Sequence, residues 1–255
     1  MDEKMLLQFA VGVGEILLRS GAETYRVEDT VERILSVKEG ALPEAFVTPS
    51  GFFASVQGEV SGVTTRFVRV TDRSTNLERI VRANALSRHF VEGKLTIEEG
   101  FLELEKINAS TPFANWLVVL STGLLCLTFT VLFGGNISDA ISAFAVGILL
   151  GIFQRLAGMR GLASFLTNLL GGILVAILTL FFLSLGLGQH YELTIIGSIM
   201  PLVPGMAITT AVRDIMSGDF LSGTSRIAEA VITASAIAAG VGIVLSAFSM
   251  VGRVA

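Results

Sequence analysis

Cysteine is nearly absent from this chain of 255 residues. The single one, Cys126, lies inside an apolar run, which excludes an internal disulfide and leaves buried packing as its reading. Histidine is almost as scarce. His89 and His190 are far apart in sequence, neither H-E-x-x-H nor C-x-x-C occurs, and no metal or other cofactor is expected. The phosphate-loop pattern G-x-x-x-x-G-K-[ST] is also missing, so ATP hydrolysis by that route is excluded. Any uphill work must then be driven by a gradient or a partner. The first residues, MDEKMLLQFAVGVGE, begin acidic and lack a basic region followed by an unbroken apolar core, so they are not read as a signal peptide. With a net charge of -4, no nucleic-acid partner is expected.

What the chain has in quantity is apolar surface. It is 52% hydrophobic and only 16% charged, with a mean hydropathy of +0.72, which points to an integral membrane protein. The charge is concentrated at one end: residues 1–111 hold 13 of the 18 Lys and Arg and 17 of the 22 Asp and Glu. The expected fold is therefore an α-helical membrane protein with two parts, a small cytoplasmic α+β domain at 1–111 and a transmembrane domain of five helices at 112–255.

Within 1–111, Met5, Leu6, Phe9, Val13, Ile16 and Leu17 recur at helical spacing with Glu3, Lys4, Gln8, Glu15 and Arg19 on the other face. A second amphipathic helix follows the Ser20-Gly21 break, with Val27, Val31 and Ile34 on its apolar face, and the pair predicts a helical hairpin. Runs around Ala45–Val47, Phe52–Val56 and Thr64–Val70 read as strands, the last a partly exposed hairpin arm. Thr75 with Glu78 and Thr96 with Glu99 fit capping boxes, which predicts helices over about 75–91 and 96–109. Two stretches carry polar groups that could do chemistry. Gly21–Glu28 sets Glu23, Tyr25, Arg26 and Glu28 beside a turn, or is simply a helix start with a solvated face. Thr48-Pro49-Ser50-Gly51 sits between apolar strands and reads equally as a turn.

In the second part, uncharged runs mark the spans: one within 107–138, a short one at 140–154, then 161–191, 193–212 and 230–252, at about 20 residues per crossing. Arg155 and Arg160 lie in one connector and Arg213 and Arg226 bound another, whereas 134–138 and 188–192 carry no arginine or lysine. Cationic connectors stay cytoplasmic, which predicts the N-terminus inside and the C-terminus outside, with Arg253 alone on the wrong side. Gly147-x-x-x-Gly151 and the ladder Ala234, Ala238, Gly242 are close-approach patterns and read as packing.

The stretch from Gly197 to Glu229 organises the rest. Pro201, Pro204 and Gly205 interrupt the fourth apolar run, and each proline removes a backbone donor, so the helix must kink or break and leave carbonyls free. A kink used for packing is one reading. Transporters place substrate sites at such breaks, and Thr209, Thr210, Arg213, Asp214, Asp219, Arg226 and Glu229 follow directly. A charge at the centre of a membrane helix costs roughly 2.5–3.5 kcal/mol on insertion scales, so these groups should face a cavity or each other. Arg226 and Glu229, three apart, suit a pair.

Taken in order, Ser20-Gly-Ala-Glu-Thr-Tyr-Arg-Val-Glu-Asp29, Thr48-Pro-Ser-Gly51, Met200-Pro-Leu-Val-Pro-Gly205, Arg213-Asp214, Gly218-Asp219 and Ser222-Gly223 resemble the threonine/serine exporter (ThrE) family over nearly the whole chain. The resemblance implies export of small hydrophilic metabolites, threonine, serine or succinate, across the bacterial inner membrane, and no enzyme. Its single-chain members carry a second membrane half, and in the two-component members that half comes from a small partner subunit; this chain looks like the larger subunit. Chemistry then assigns roles. Pro201, Pro204, Gly205, Thr209 and Arg213 are candidates for substrate binding, the arginine for a carboxylate. Asp214, Asp219 and Glu229 are candidates for coupling or gating, and Glu23, Tyr25 and Arg26 form a cytoplasmic motif. Expected partners are the second subunit, the small-molecule substrate and membrane lipid. A membrane-embedded hydrolase using Ser50 or Ser222, or a regulatory or scaffold subunit, are the alternatives.

Overall fold

The computed structural model describes residues 2–58, 62–110 and 113–254. The expected boundary at 111–112, the side chain of Arg253 and Ala255 lie outside the described residues. The chain is mostly helical, with a small sheet ahead of its apolar spans, and it divides into two compact units. One comprises Met1–Thr111 with Met206–Ala228, the other Pro112–Gly205 with Glu229–Ala255.

In the first unit, α1 (Glu3–Arg19) and α2 (Thr24–Leu35) form the expected hairpin. Amphipathicity understates α1. Leu6, Leu7, Phe9, Ala10, Val11, Val13, Leu17 and Leu18 are all buried, because α2, the sheet, α3 (Leu77–Val91) and α4 (Ile97–Asn108) pack around it. Met5, expected on the apolar face, is exposed instead. The sheet is antiparallel in the order β1 (Leu42–Thr48), β2 (Gly51–Gly58), β3 (Gly62–Arg69). Period-two alternation puts Val47, Phe52, Ala54 and Val56 into the core and leaves Phe46, Phe53 and Phe67 in one exposed cross-strand row. Thr48-Pro49-Ser50-Gly51 is the tight turn between β1 and β2, closed by the Thr48 hydroxyl donating to the Gly51 carbonyl at 2.8 Å. The capping box at Thr96 and Glu99 is present. The one expected at Thr75 is displaced by a residue: Asn76 caps α3, its side chain accepting from the Arg79 N–H at 3.0 Å. Asn competes well for such a position.

The second unit contains α5 (Asn115–Leu132), α6 (Ile137–Met159), α7 (Ser164–Ser184), α8 (Tyr191–Ile199) and most of α10 (Phe220–Val254). Among the described residues, α5, α6, α7 and Phe220–Met250 of α10 are each long and apolar enough to cross a bilayer. A fifth span arises if α8 and α9 (Gly205–Met216) count as one broken crossing. The break falls at the prolines. Pro201 lies in a 3-10 turn at Met200–Leu202, and Val203 turns extended ahead of Pro204, as the residue before a proline must.

Gly147 lets α5 and α6 touch: a Cβ there would lie 2.7 Å from the Cys126 sulfur and 2.8 Å from the Gly123 Cα. Cys126 is buried at this crossing, as expected. Helix α10 meets α7 through Gly240, where a Cβ would lie 2.3 Å from the Leu169 carbonyl, with Ala236 and Ile237 buried beside it. The ladder Ala234, Ala238, Gly242 is therefore not the packed face; Ala234 and Ala238 are exposed, and a Cβ at Gly242 would meet nothing within 4 Å.

The second expected span is longer than its charge-free run, because Asp139 belongs to it. Asn136 and Asp139 form a capping box, and the buried Asp139 carboxylate also accepts the N–H groups of Gln189 at 2.6 Å and His190 at 3.0 Å. The His190 ring lies 2.9 Å away through Nδ1. One aspartate thus ties the α7–α8 connector to the start of α6, and the signal for it in the sequence was the Asn-x-x-Asp spacing.

Candidate functional site

The charged residues of the two family-like stretches meet inside the first unit. Glu23 is the N-cap residue of α2, yet its side chain caps nothing. It is engaged elsewhere: Oε1 accepts from Arg213 Nη1 of α9 at 2.8 Å, and Oε2 lies 3.1 Å from Arg26 Nε, one turn along α2. A helix N-terminus still needs acceptors for its first N–H groups. Asp214, 190 residues further on, supplies one, its Oδ1 accepting from the Thr24 N–H at 3.1 Å and the Thr24 hydroxyl at 3.0 Å. That hydroxyl is also 2.6 Å from Asp219 Oδ2. It has one proton, so two carboxylates compete for one donor.

Behind Asp214 lies Arg226. The pair is buried, with side-chain exposures of 0% and 7%, and Nε stands 2.9 Å from Oδ2, close as an ion pair though not aligned as a hydrogen bond. The guanidinium is further held by the Ala22 carbonyl at 2.9 Å and the Thr210 hydroxyl at 3.5 Å. Asp219 turns its other oxygen to the Ser222 N–H at 3.1 Å. Ala22, Glu23 and Thr24 are thus each gripped by the 206–228 segment.

The charges have physical consequences. Burial works against ionised Glu23, but its own backbone N–H, Arg26 and Arg213 outweigh it and hold the carboxyl below the ordinary glutamate range. Burial likewise opposes ionised Asp219, and the Thr24 and Ser222 hydrogen bonds together with Arg226 overcome it and lower its pKa. Glu28 goes the other way: burial raises its pKa, the Val47 N–H it accepts at 2.9 Å opposes this, and the nearby charges of Asp219, Glu32 and Asp214 add to the rise. Glu23 and Asp219 therefore contribute stability that is present above the ordinary carboxylate pKa values of 4.5 and 3.8 and is lost as pH falls through their lowered ones. Glu28 contributes with the opposite sign. Thermal unfolding of purified protein from neutral pH downward should show an acid limb that Asp219→Asn flattens and Glu28→Gln steepens; identical limbs in all three would contradict these shifts.

Of the expected site residues, the first unit brings together Glu23, Arg26, Arg213, Asp214 and Asp219. Tyr25 joins through Arg26, its neighbour in the chain, whose charged form it favours. Thr209 is exposed and donates to the Met206 carbonyl at 3.1 Å. Pro201, Pro204 and Gly205 belong to the second unit, as does Glu229, which is exposed. Within its unit Arg226 pairs with Asp214. Thr24 was not singled out from the sequence, although a threonine at the first position of a helix is a recognisable donor.

Long apolar helices, a proline-broken helix pair and a buried charge cluster define a polytopic membrane protein. The chain belongs to the threonine/serine exporter (ThrE) family, whose model matches residues 8–248. It is 26% identical over 239 residues to an uncharacterized protein of Schizosaccharomyces pombe, covering 89% of this chain and 28% of that protein. It is 24% identical to the "Threonine/serine exporter" of Corynebacterium glutamicum, covering 93% of this chain and 50% of the exporter. Against the "Probable succinate transporter subunit YjjP" of Escherichia coli it is 21% identical, covering 99% of this chain and 98% of that subunit. The chain thus spans half or less of the first two relatives and nearly all of the third. No solved structure matches it.

Proposed function

We propose that this chain forms one membrane half of a secondary exporter for small hydrophilic carboxylates or amino acids, with Arg213 contacting the substrate carboxylate. The observation that carries the reading is the state of Arg213: it is anchored on Glu23, yet its side chain is 60% exposed, so most of its planar donor set faces outward. Threonine, serine and succinate, the compounds named for its relatives, share a carboxylate and little else. Asp214 is the group we assign to proton coupling, with the ionised Asp219 competing beside it for the Thr24 hydroxyl proton. The proline break in the second unit gives the flexibility that gating requires.

The remaining half would come from a second membrane subunit, equivalent to the portion of the Corynebacterium exporter that this chain does not match. The outward-facing ladder on α10 offers that subunit a close-packing surface. The bare turns after α5 and α7, and Arg155 in the last turns of α6 with Arg160 just after it, favour insertion in a bacterial inner membrane with the N-terminus cytoplasmic. The test is counterflow of threonine, serine and succinate in proteoliposomes holding the chain with and without such a subunit. Exchange that needs both chains is expected. Full exchange by the lone chain would sink the two-half arrangement, and no exchange of any of the three with both chains present would sink the exporter reading.

A further inference from the structure

The carboxylate that Arg213 binds in this structure is the protein's own. We propose that Glu23 is a built-in competitor for the substrate carboxylate, occupying Arg213 and Arg26 when no ligand is bound and exchanging with a ligand carboxylate when one arrives. The proposal rests on the assignment of Arg213 above and adds Arg26 as the second guanidinium of the site.

Glu23 is held as a ligand would be. Each of its oxygens has its own guanidinium, Arg213 Nη1 at 2.8 Å on Oε1 and Arg26 Nε at 3.1 Å on Oε2. The exposures are ordered to match: 60% for Arg213, 39% for Arg26 and 11% for Glu23. The cations stand outward where a solute can reach them, and the anion lies behind. Ion pairs open to water are weak, so a second carboxylate can replace this one without a large barrier.

Among the described residues, what holds the Glu23 carboxylate besides these two arginines is its own backbone N–H. Asp214, not Glu23, accepts the Thr24 N–H at the start of α2, so swinging the Glu23 carboxylate away leaves that donor satisfied. The Thr24 bonds to Asp214 and Asp219 and the Arg226 bond to the Ala22 carbonyl keep α2 attached to the 206–228 segment. Exchange at Glu23 therefore opens one tie of four side-chain residues and spares the others. A site partly filled by its own competitor binds more weakly in proportion to that filling, which suits an exporter that must release its cargo. A purely structural Glu23, present to orient Arg213, makes the opposite prediction: removing its charge would loosen the arginine and weaken binding.

The experiment measures equilibrium binding of radiolabelled threonine and of succinate to the purified full chain in detergent, with threonine methyl ester as a probe lacking the free carboxylate. Glu23→Gln, nearly isosteric, should bind the carboxylate probes about two- to fivefold more tightly than wild type, the gain expected from removing one competing carboxylate from two water-exposed guanidiniums. Glu23→Asp keeps the charge on a shorter arm and should fall between the two. Arg26→Ala should weaken binding, and the methyl ester should show no gain in any variant. Melting temperatures run alongside separate a folding defect from a binding change. Unchanged or weaker binding by both folded Glu23 variants, while Arg213→Ala still abolishes it, overturns the competitor and leaves the Arg213 assignment standing. Unchanged binding in Arg213→Ala overturns both.

Discussion

Arg226→Met should destabilise the first unit by about 3–5 kcal/mol, because it removes one partner of a buried ion pair and strands the Asp214 carboxylate without a counter-charge. The loss has a specific remedy. Asp214→Asn keeps an oxygen that can accept from Thr24 while discarding the charge, so the double variant Arg226→Met with Asp214→Asn should recover most of the stability. Unfolding by SDS titration of the purified single and double variants forms the cycle. An Arg226→Met protein within about 0.5 kcal/mol of wild type would mean that the pair behaves like an exposed one, contrary to its burial.

Arg213 should answer to substitution in the opposite way, with function lost and the fold kept. Its side chain is exposed and its anchor among the described residues is Glu23, so Arg213→Ala should reach the membrane at normal abundance. A hydrogen bond to a charged group contributes about 1.5–3 kcal/mol, so losing it should lower export by roughly ten- to a hundredfold. Arg213→Lys retains the charge but not the planar fork, and it should sit much nearer to alanine than to wild type. Efflux normalised to protein abundance is the measurement. Equal export by Arg213→Ala would remove this residue from the substrate path.

Several features were legible in the sequence because each depends on neighbours in the chain. The α1–α2 hairpin follows from a 3.6-residue apolar period and the Ser20-Gly21 stop. The break between α8 and α9 follows from two prolines that cannot donate. The capping box at Thr96 and the packing role of Gly147 are likewise local patterns. Other contacts have no local signal because their partners are distant in the chain. Arg226 meets Asp214 of α9 and the Ala22 carbonyl. Asp139 lies between two charge-free runs in the sequence, and its partners Gln189 and His190 come from a connector some fifty positions away.

Composition and spacing by themselves determined that the chain is a polytopic membrane protein with a charged first part, that a helix is broken near Pro201 and Pro204, and that two polar motifs lie far apart in the chain. These are properties of local steric limits and of transfer from water to hydrocarbon, both of which are written residue by residue. That the two motifs are one site was decided only by tertiary structure. Glu23 and Arg213 are 190 positions apart, as are Thr24 and Asp214. No propensity or period links residues at that separation; they meet because α2 leaves its first N–H groups unsatisfied and the 206–228 segment, packed into the same unit, brings carboxylates and guanidiniums to that helix end.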